Sequence, residues 1–256
     1  MSDFADVNYG VEAGVARLAV NRPDKLNAYR DRTADELRAA LSRAEADQSV
    51  KAVLLTGEGR AFGAGYDLST IDPHATPALD EVLEVHFNPL VEAMRRSPLP
   101  IVAAVNGPCA GAAVGIALAA DIVLAGRSSY FYEPFVGIAL VPDAGNTLFL
   151  SRILGRVRAS GMMLLGDRIP AARALDWGLV WEVVEDDRLP ARAAEICARL
   201  AALDRGAVAA TKTLIAHAAD FGSEEQLSLE RDLQGAAGRT PAMKQRIAAF
   251  FARQKS

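Results

Sequence analysis

The sequence has 256 residues, of which 51% are apolar and 23% charged, and its net charge is −4 at pH 7. This composition is typical of one large globular domain or two small ones. The negative balance, without a run of lysines or arginines, argues against a nucleic-acid-binding surface. The two cysteines, Cys109 and Cys197, lie far apart, so we expect neither a disulfide framework nor a cysteine zinc site.

The N-terminal residues and the longest apolar stretch indicate where in the cell the protein is expected. Residues 1–6 read MSDFAD, which is acidic and lacks the basic-then-apolar layout of a signal peptide. The apolar stretch 101–125 is interrupted by Asn106, Pro108 and Asp121, which argues against a membrane span. We therefore expect a cytoplasmic protein without membrane or nucleic-acid partners.

The first part of the chain alternates between strand and helix patterns. Apolar runs and helical spacing predict, in chain order, a strand at 15–20, a helix at 33–47, a strand at 53–56, a polar loop at 69–79, a helix at 79–95, a strand at 101–105, a helix at 111–119 and a strand at 122–125. Two short strands followed by a helix recur along this part, which predicts an α/β core.

After Gly155 the pattern becomes mostly helical. The predicted helices are 156–165, 171–177, 189–202, 207–218, 224–236 and 241–253, with a strand at 180–184. We therefore divide the chain into an α/β core at 1–190 and a helical C-terminal region at 191–256. The alanine-rich faces of this region are suited to packing against neighbouring subunits.

Two segments of small residues, 59–68 and 106–115, each follow an apolar strand. Side chains are nearly absent where the chain turns, so a ligand can approach the backbone closely. If the two turns meet, they can aim two backbone N–H groups at one oxygen, the arrangement that stabilises an oxyanion. The alternative is that the small residues only permit tight packing.

Several other chemistries lack their sequence patterns. Phe62 occupies the third glycine position of a dinucleotide-binding turn, and the chain has no Gly-Lys-Ser/Thr phosphate loop and no Gly-x-Ser-x-Gly elbow. His74, His86 and His217 have no paired-ligand spacing, so we expect no metal. For Cys109, a small buried thiol is favoured over a nucleophile.

Two carboxylates are candidates for proton transfer. Asp143 lies in the apolar stretch IALVPDAG, where burial disfavours the charged form and raises the pKa, as suits a proton shuttle. The alternative is that Asp143 caps a helix that begins near Gly145. Glu133 is a weaker candidate, because acidic residues before a proline in a polar-aromatic stretch are mostly solvated.

Taken together, these segments resemble the crotonase superfamily, also called the enoyl-CoA hydratase/isomerase family. The motifs that carry the resemblance run through nearly the whole chain: NRPDKLNA (21–28), LLTG (54–57), RAFGAGYDL (60–68), AVNG (104–107), ADI (120–122) and ALDWGLV (174–180). The resemblance implies a spiral of strand-strand-helix turns with a helical C-terminal trimerisation region. It also implies homotrimers or hexamers and an acyl-CoA thioester substrate, so that no separate cofactor is expected.

The resemblance also implies the roles of individual residues. The backbone N–H groups of Tyr66 and Ala112 correspond to the oxyanion-hole donors. The positions that correspond to coenzyme A contacts are Lys25 and Leu26 beside the pantetheine, Ala64, Asp67 and Leu68 around the adenine, and Phe250 and Arg253, often from a neighbouring subunit.

The sequence departs from the family hydratases at their two glutamates. Gly115 and Phe135 occupy those positions, whereas Asp143 matches the acid of the double-bond isomerases. The segments FNPLV (87–91) and LVPD (140–143) are also similar to the ring-epoxide isomerases of phenylacetyl-CoA breakdown. Tyr66 is bulkier than the residue usual at its position, which changes the pocket while leaving the N–H in place.

The sequence therefore favours an acyl-CoA isomerase with Asp143 as the proton shuttle, because isomerisation consumes no water and needs a single shuttle. One alternative is an enoyl-CoA hydratase that uses Glu133 or Asp143. A second is an acyl-CoA-binding protein with little activity. The expected pocket walls are the loop 69–79 with Phe87, Phe131 and Phe135.

Overall fold

The computed structural model describes residues 4–70, 74 and 78–253. The strands are β1 (Val7–Glu12), β2 (Val15–Val20), β3 (Ala52–Gly57), β4 (Ile101–Val105), β5 (Pro108–Ala110), β6 (Ile122–Gly126), β7 (Tyr130–Tyr132), β8 (Ile169–Pro170) and β9 (Glu182–Val184). The α-helices are α1 (Asp31–Ala46), α2 (Leu79–Val82), α3 (Asn88–Arg96), α4 (Ala112–Ala119), α5 (Asn146–Leu165), α6 (Ala171–Asp176), α7 (Leu189–Ala201), α8 (Arg205–His217), α9 (Ser223–Gly238) and α10 (Pro241–Arg253).

Six strands form the main sheet, in the order β1-β2-β3-β4-β6-β9. Strand β1 is antiparallel to β2, and every later pair in this sheet is parallel. A second sheet has the order β5-β7-β8 and places the two short strands β5 and β7 side by side and parallel. Strands of a parallel sheet are covered on both faces, which explains why β3 and β4 read as continuous apolar runs.

The main sheet separates two layers of packed side chains. Val53 and Leu55 of β3 point into the larger core, which also contains the apolar faces of α1, α3 and α4. Ala52, the neighbour of Val53, points to the opposite face, where Leu189 and Ala193 of α7 cover it. Alternation along the strand thus supplies both layers from one short segment.

The predicted strands and helices are present with shifted ends, and the structure adds elements that the pattern does not show. The additions are β1 and the short strands β5, β7 and β8. The predicted helix 79–95 is interrupted by a π-helix at Leu83–Phe87. The predicted helix 156–165 begins earlier, at Asn146, and contains a break at Gly155, whose φ is +70°. Strands of two or three residues are too short to show a period, which explains why β5, β7 and β8 are missing from the prediction.

The last three helices extend from the core with most of their side chains exposed. Lys212 of α8 fixes this region to the core, because its Nζ lies 2.7 Å from the Asp121 carboxylate and donates to Leu99 O at 2.6 Å. Large apolar side chains remain exposed on these helices, among them Ile215, Leu227 and Phe251. Within the described ranges, none of the helices has the length and apolar character needed to span a membrane.

Candidate active site

The two small-residue turns meet in the structure. Segment 62–63 runs beside β5, where Gly63 N–H donates to Pro108 O at 3.1 Å and Ala110 N–H donates to Gly63 O at 2.9 Å. The backbones pass close together here: a Cβ on Gly65 would lie a tight 3.1 Å from Ala110 O, and one on Gly111 would be in ordinary contact, 3.5 Å from Gly65 Cα. Both glycines have positive φ, +86° and +56°. The positive φ values, which other residues adopt only with strain, therefore favour glycine at both positions.

The first turn directs the Tyr66 N–H by pairing its neighbours with Tyr29. Gly65 O accepts from Tyr29 N at 2.7 Å, and Asp67 N donates to Tyr29 O at 2.7 Å. Peptide groups of an extended segment point to alternate sides, so the Tyr66 N–H faces away from Tyr29. The cavity described below lies against Ala64, Gly65 and Tyr66.

The second turn presents a helix N-terminus. Helix α4 begins at Ala112, so the Ala112 N–H belongs to the first turn, whose N–H groups have no acceptor within the helix. The helix dipole adds a positive partial charge at this end. The buried Asn146 side chain holds the turn, since its Nδ2 donates to Gly111 O at 3.0 Å.

An open cavity lies where these turns meet, with about 640 Å³ of empty space that includes the solvent at its mouth. Its lining is mostly apolar, and among the described residues that line it Asp143 is the one carboxylate. The lining residues are Ala64, Gly65, Tyr66, Leu68, Leu79, Val82, Leu83, Phe87, Gly111, Ala112, Pro134, Phe135, Ile138, Leu140 and Asp143. Phe87, Phe135 and Leu79, at the end of the predicted loop 69–79, thus line the cavity as predicted. Phe131 is instead buried in the core, and residues 71–73 and 75–77 of that loop lie outside the described ranges.

Asp143 does not act as a helix cap. Helix α5 begins at Asn146 with Gly145 as its N-cap residue, and Asn146 N donates to the backbone oxygen of Asp143 at 2.9 Å. Asp143 lines the cavity instead, and burial raises the pKa of its carboxyl to about 6. A carboxyl group of this kind exchanges its proton near neutral pH, as a proton shuttle requires.

Neither of the two positions that hold glutamate in the family hydratases holds an acid. A Cβ on Gly115 would lie 2.1 Å from Ala144 O, so the segment before α5 fills the place that a side chain would need. Phe135 occupies the other position, with its ring atom Cζ 3.6 Å from an ideal Cβ on Gly111. The protein therefore presents an aromatic ring and a backbone carbonyl at these two positions.

The prediction that Glu133 is solvated is wrong. Glu133 follows β7 and is 0% exposed, and it does not line the cavity although its neighbours Pro134 and Phe135 do. Burial and the nearby Asp143 charge raise its pKa to about 9. The sequence pattern missed this burial because a strand of three residues does not reveal which of its neighbours point inward.

Of the predicted coenzyme A contacts in the first half of the chain, Ala64 and Leu68 line the cavity and Lys25, Leu26 and Asp67 do not. Leu68 is exposed and lines the cavity with Ala64, while Lys25 is exposed and Leu26 half-buried in the preceding segment. This segment is tied to the turn by Asn27, whose amide donates to Ala61 O at 2.6 Å.

The Asp67 carboxylate is already engaged within the protein. It accepts from Arg22 at 2.7 Å and from the Ser69 hydroxyl at 2.6 Å, and these hydrogen bonds lower its pKa. Its side chain is buried, so it holds the turn together.

The remaining predicted residues are Phe250, Arg253 and Cys109, and of these Phe250 and Cys109 are not among the described residues that line the cavity. Phe250 is exposed on α10 with its ring against Phe251, and it does not belong to the cavity lining. Arg253 ends α10, and its side chain lies outside the described part of the chain. Cys109 is 0% exposed, and burial together with the Glu133 charge raises the pKa of its thiol, which is the state of a structural cysteine.

Sequence reasoning missed a polar network behind the Tyr66 ring. The Tyr66 hydroxyl donates to Asp31 Oδ1 at 2.9 Å, and His86 Nδ1 lies 2.9 Å from Asp35 Oδ2. His86 Nε2 lies 3.9 Å from Asp31 Oδ2, so the histidine bridges two carboxylates of α1. Asp31 and Asp35 are one helical turn apart, which was the available signal. Over the ranges the structure describes, no group of three or more metal-binding side chains occurs.

Comparison with known proteins finds relatives that share one family. The family model for enoyl-CoA hydratase/isomerase matches residues 10–256. The 1,2-epoxyphenylacetyl-CoA isomerase of Escherichia coli (strain K12) is 39% identical over 247 residues, which cover 95% of this chain and 94% of that protein. A probable enoyl-CoA hydratase of Rhodobacter capsulatus is 38% identical, across 97% of this chain and 95% of that protein.

Solved structures agree. An enoyl-CoA hydratase/isomerase from Cupriavidus metallidurans CH34 has a TM-score of 0.92 to this chain at 28% identity, covering 99% of this chain and 96% of that one. The resemblance drawn from the motifs is thus confirmed, and so is the α/β fold with a helical C-terminal region.

Proposed function

Because the chain belongs to the enoyl-CoA hydratase/isomerase family and is an enzyme of that family, we propose that it is an acyl-CoA isomerase. In this proposal Asp143 moves the proton, and the N–H groups of Tyr66 and Ala112 bind the thioester oxygen. The observation that carries it is the position of Asp143: a half-buried carboxyl with a raised pKa that lines the same cavity as residues of both turns.

The reaction follows from this arrangement. The thioester carbonyl accepts hydrogen bonds from the two N–H groups, and these bonds strengthen as negative charge develops on the oxygen. A donor of this kind contributes about 3 kcal/mol to lowering the barrier. For an unsaturated acyl-CoA, the Asp143 carboxylate removes a proton from a carbon next to the double bond, and the electron pair delocalises onto the thioester oxygen. The resulting carboxylic acid then returns the proton at another carbon, and the double bond shifts. Proton and electrons balance without water.

The single carboxylate favours isomerisation over hydration. Hydration must position a water and also protonate the α-carbon, which is easier with two carboxyl groups. Glu133 does not line the cavity, and neither Gly115 nor Phe135 has an acidic side chain. The hydratase alternative thus depends on Asp143 alone.

The cavity also suggests the acyl group. Phe87 and Phe135 are aromatic, and the rest of the wall is chiefly aliphatic, which suits an unsaturated or cyclic acyl chain. The name of the Escherichia coli relative, 1,2-epoxyphenylacetyl-CoA isomerase, supports a ring-epoxide acyl-CoA as one candidate. An unsaturated acyl-CoA whose double bond migrates is the other.

Coenzyme A enters as part of the substrate, and we assign no separate cofactor. In the proposed binding mode Lys25 and Leu26 lie beside the pantetheine, and Ala64, Asp67 and Leu68 lie near the adenine. We propose that the helical region 191–256 assembles a homotrimer or hexamer, in which Phe250 and Arg253 reach the coenzyme A of a neighbouring subunit. The exposed apolar side chains of α8 to α10 support such an assembly. A cytoplasmic location stays a prediction from the sequence.

The test compares three substrates. The purified enzyme is incubated with crotonyl-CoA and, separately, with a 3-enoyl-CoA and the ring-epoxide acyl-CoA, and consumption and products are followed by chromatography. We expect isomerised product from at least one of the latter two and little hydration of crotonyl-CoA. Dominant hydration of crotonyl-CoA would contradict the isomerase proposal, and binding without turnover of all three would favour the acyl-CoA-binding alternative.

A further inference from the structure

We propose that Asn146 is a positioning residue that aligns the Ala112 N–H, one of the two groups proposed to bind the thioester oxygen. The proposal deepens the function assigned above and rests on it. Asn146 is 0% exposed and does not line the cavity. It can therefore affect the substrate only through the backbone to which its side chain binds.

The side chain of Asn146 holds the peptide group that carries the Ala112 N–H. Its Nδ2 donates to Gly111 O at 3.0 Å. The Gly111 carbonyl and the Ala112 N–H belong to one planar trans peptide unit and point in opposite directions. Gly111 and Ala112 line the cavity, whereas Asn146 is buried. A carbonyl fixed from behind in this way directs the N–H away from Asn146.

A second hydrogen bond reaches the same carbonyl and leaves a separate task to Asn146. Gly111 O also accepts from Val114 N at 2.9 Å, within the first turn of α4. That bond moves with helix α4, whereas Asn146 belongs to α5, so the amide ties the peptide unit to a neighbouring helix. Hydrogen bonds accepted at the carbonyl also polarise the peptide unit, which makes its N–H a stronger donor.

The other proposed donor is held in the same manner, but by backbone. The Tyr66 N–H shares its peptide unit with the Gly65 carbonyl, which accepts from Tyr29 N at 2.7 Å. Both proposed donors thus have the carbonyl of their own peptide unit bound from behind. Because a side chain makes the bond behind Ala112, its alignment can be tested by substitution.

Asn146 also joins the second turn to the segment of the proton shuttle. Its backbone N–H donates to Asp143 O at 2.9 Å, so one residue binds both Gly111 and Asp143. A substitution that removes the amide keeps this backbone bond. The two contacts are therefore separable: the amide serves the N–H donor, and the backbone serves the acid.

The Asn146 amide is costly to bury at this place. Its Oδ1 has no hydrogen-bond partner among the described residues, although the side chain is fully buried. An unpaired buried oxygen costs free energy that an apolar side chain of equal size would not cost. Stability of the fold alone therefore does not account for asparagine here, whereas the bond from Nδ2 to Gly111 O does.

Two variants remove the amide and keep the backbone. Asn146→Leu is similar in size, and Asn146→Ala is smaller and cannot overpack the core. We expect kcat on the isomerised acyl-CoA to fall at least about tenfold in both, because a misaligned donor loses part of its contribution in the transition state. The dissociation constant of butyryl-CoA should change less than about threefold, since binding of the ground state depends less on this donor.

Ser129→Ala is the matched control. It removes another buried hydrogen bond from a side chain to a backbone carbonyl, from Ser129 Oγ to Gly126 O at 2.6 Å, and neither residue lines the cavity. We expect its kcat within about twofold of the wild type, because no group near the substrate is changed. Denaturant unfolding of every variant gives the folded fraction at which rates are compared.

A second readout needs no turnover. Butyryl-CoA is saturated and has no double bond to move. It is isotopically labelled at the thioester carbonyl carbon, and its carbonyl-stretch frequency is measured free and bound by infrared difference spectroscopy. Binding to the wild type and to Ser129→Ala should lower this frequency, because N–H donors polarise the carbonyl. About half of the lowering should be lost in Asn146→Leu and Asn146→Ala, since one of two donors is misaligned.

The outcomes distinguish this proposal from the function on which it rests. A frequency that does not change on binding to the wild type would exclude an oxyanion-binding site and overturn both. A frequency lowered equally in the wild type and both Asn146 variants would overturn the positioning role alone. An equal loss of kcat in Ser129→Ala would do the same, as would failure of both Asn146 variants to fold, which would assign the bond to stability. If the wild type isomerises no substrate, the infrared comparison decides.

Discussion

The Tyr66 hydroxyl donates a 2.9 Å hydrogen bond to Asp31 Oδ1, and this bond fixes an aromatic ring in the cavity wall at the same residue whose N–H is proposed to bind the substrate oxygen. The ring also packs edge-on against Phe87, with centroids 5.8 Å apart. One residue thus combines a backbone role at the thioester with a side-chain role at the acyl group. The two roles can be separated by substitution.

Tyr66→Phe keeps the N–H and the ring but loses the bond to Asp31. Because Asp31 is partly exposed and water can replace the donor, we expect a loss of about 1 kcal/mol or less in the free energy of unfolding. We expect kcat within about threefold of the wild type, since no interaction with the developing charge is removed.

Tyr66→Ala opens the wall and should lower KM for bulkier acyl-CoA substrates. A panel of acyl-CoA chain lengths measures this, and equal KM values in Tyr66→Ala and the wild type would contradict a role of the ring in selectivity.

Gly115 cannot accept a side chain where the family hydratases hold a glutamate. Gly115→Ala places a Cβ 2.1 Å from Ala144 O, so we expect the free energy of unfolding to fall by at least about 2 kcal/mol. Gly161→Ala is the matched control, because Gly161 lies within α5 and has no atom within 4 Å of its ideal Cβ. This change should stabilise the protein by about 0.5–1 kcal/mol. Denaturant unfolding of both variants provides the measurement. Equal free energies of unfolding for Gly115→Ala and the wild type would contradict this prediction, because the segment before α5 would then have moved without destabilising the protein.

The acidic limb of the pH profile reports Asp143. Burial raises its pKa to about 6, so the fraction of carboxylate falls as the pH drops below that value. We expect kcat/KM to decrease about tenfold per pH unit below about pH 6, because the base must be ionised in the free enzyme. Steady-state rates between pH 4.5 and 8 test this, with unfolding monitored at each pH. A flat profile down to pH 4.5 would exclude a base with a raised pKa.

Much of this account follows from the sequence, and the failures have identifiable causes. The apolar runs of β3, β4 and β6 and the turns after β3 and β4 are local patterns, so these elements are predictable from the sequence. The oxyanion roles of Tyr66 and Ala112 come from the family resemblance and stay a proposal. The burial of Glu133 and the contact between Tyr66 and Asp31 depend on which segments meet in space, and no period along the chain encodes that. Asp143 lies between these cases: its apolar neighbours predict a raised pKa, but only the start of α5 excludes a capping role.

The buried Glu133 also makes stability depend on pH. Its pKa is about 9 in the folded protein and near 4.5 when unfolded, so the unfolded chain ionises first as the pH rises. The contribution of Glu133 to stability is therefore present below about pH 4.5 and lost progressively up to about pH 9. Relative to the wild type, Glu133→Gln should be equal near pH 4 and more stable by up to about 3 kcal/mol at pH 7. Thermal or denaturant unfolding of both proteins across pH 4–9 gives the difference, and a difference independent of pH would contradict a buried neutral acid.

The most direct test of the central claim is turnover by Asp143→Asn. The asparagine keeps the shape of the side chain and removes its ability to accept a proton, so the two N–H groups and the cavity stay in place. We expect kcat on the isomerised acyl-CoA to fall by at least about 100-fold, the usual contribution of a general acid–base residue, while the dissociation constant of a non-reactive acyl-CoA changes less than about threefold. Turnover at the wild-type level would contradict the assignment of Asp143 as the proton shuttle.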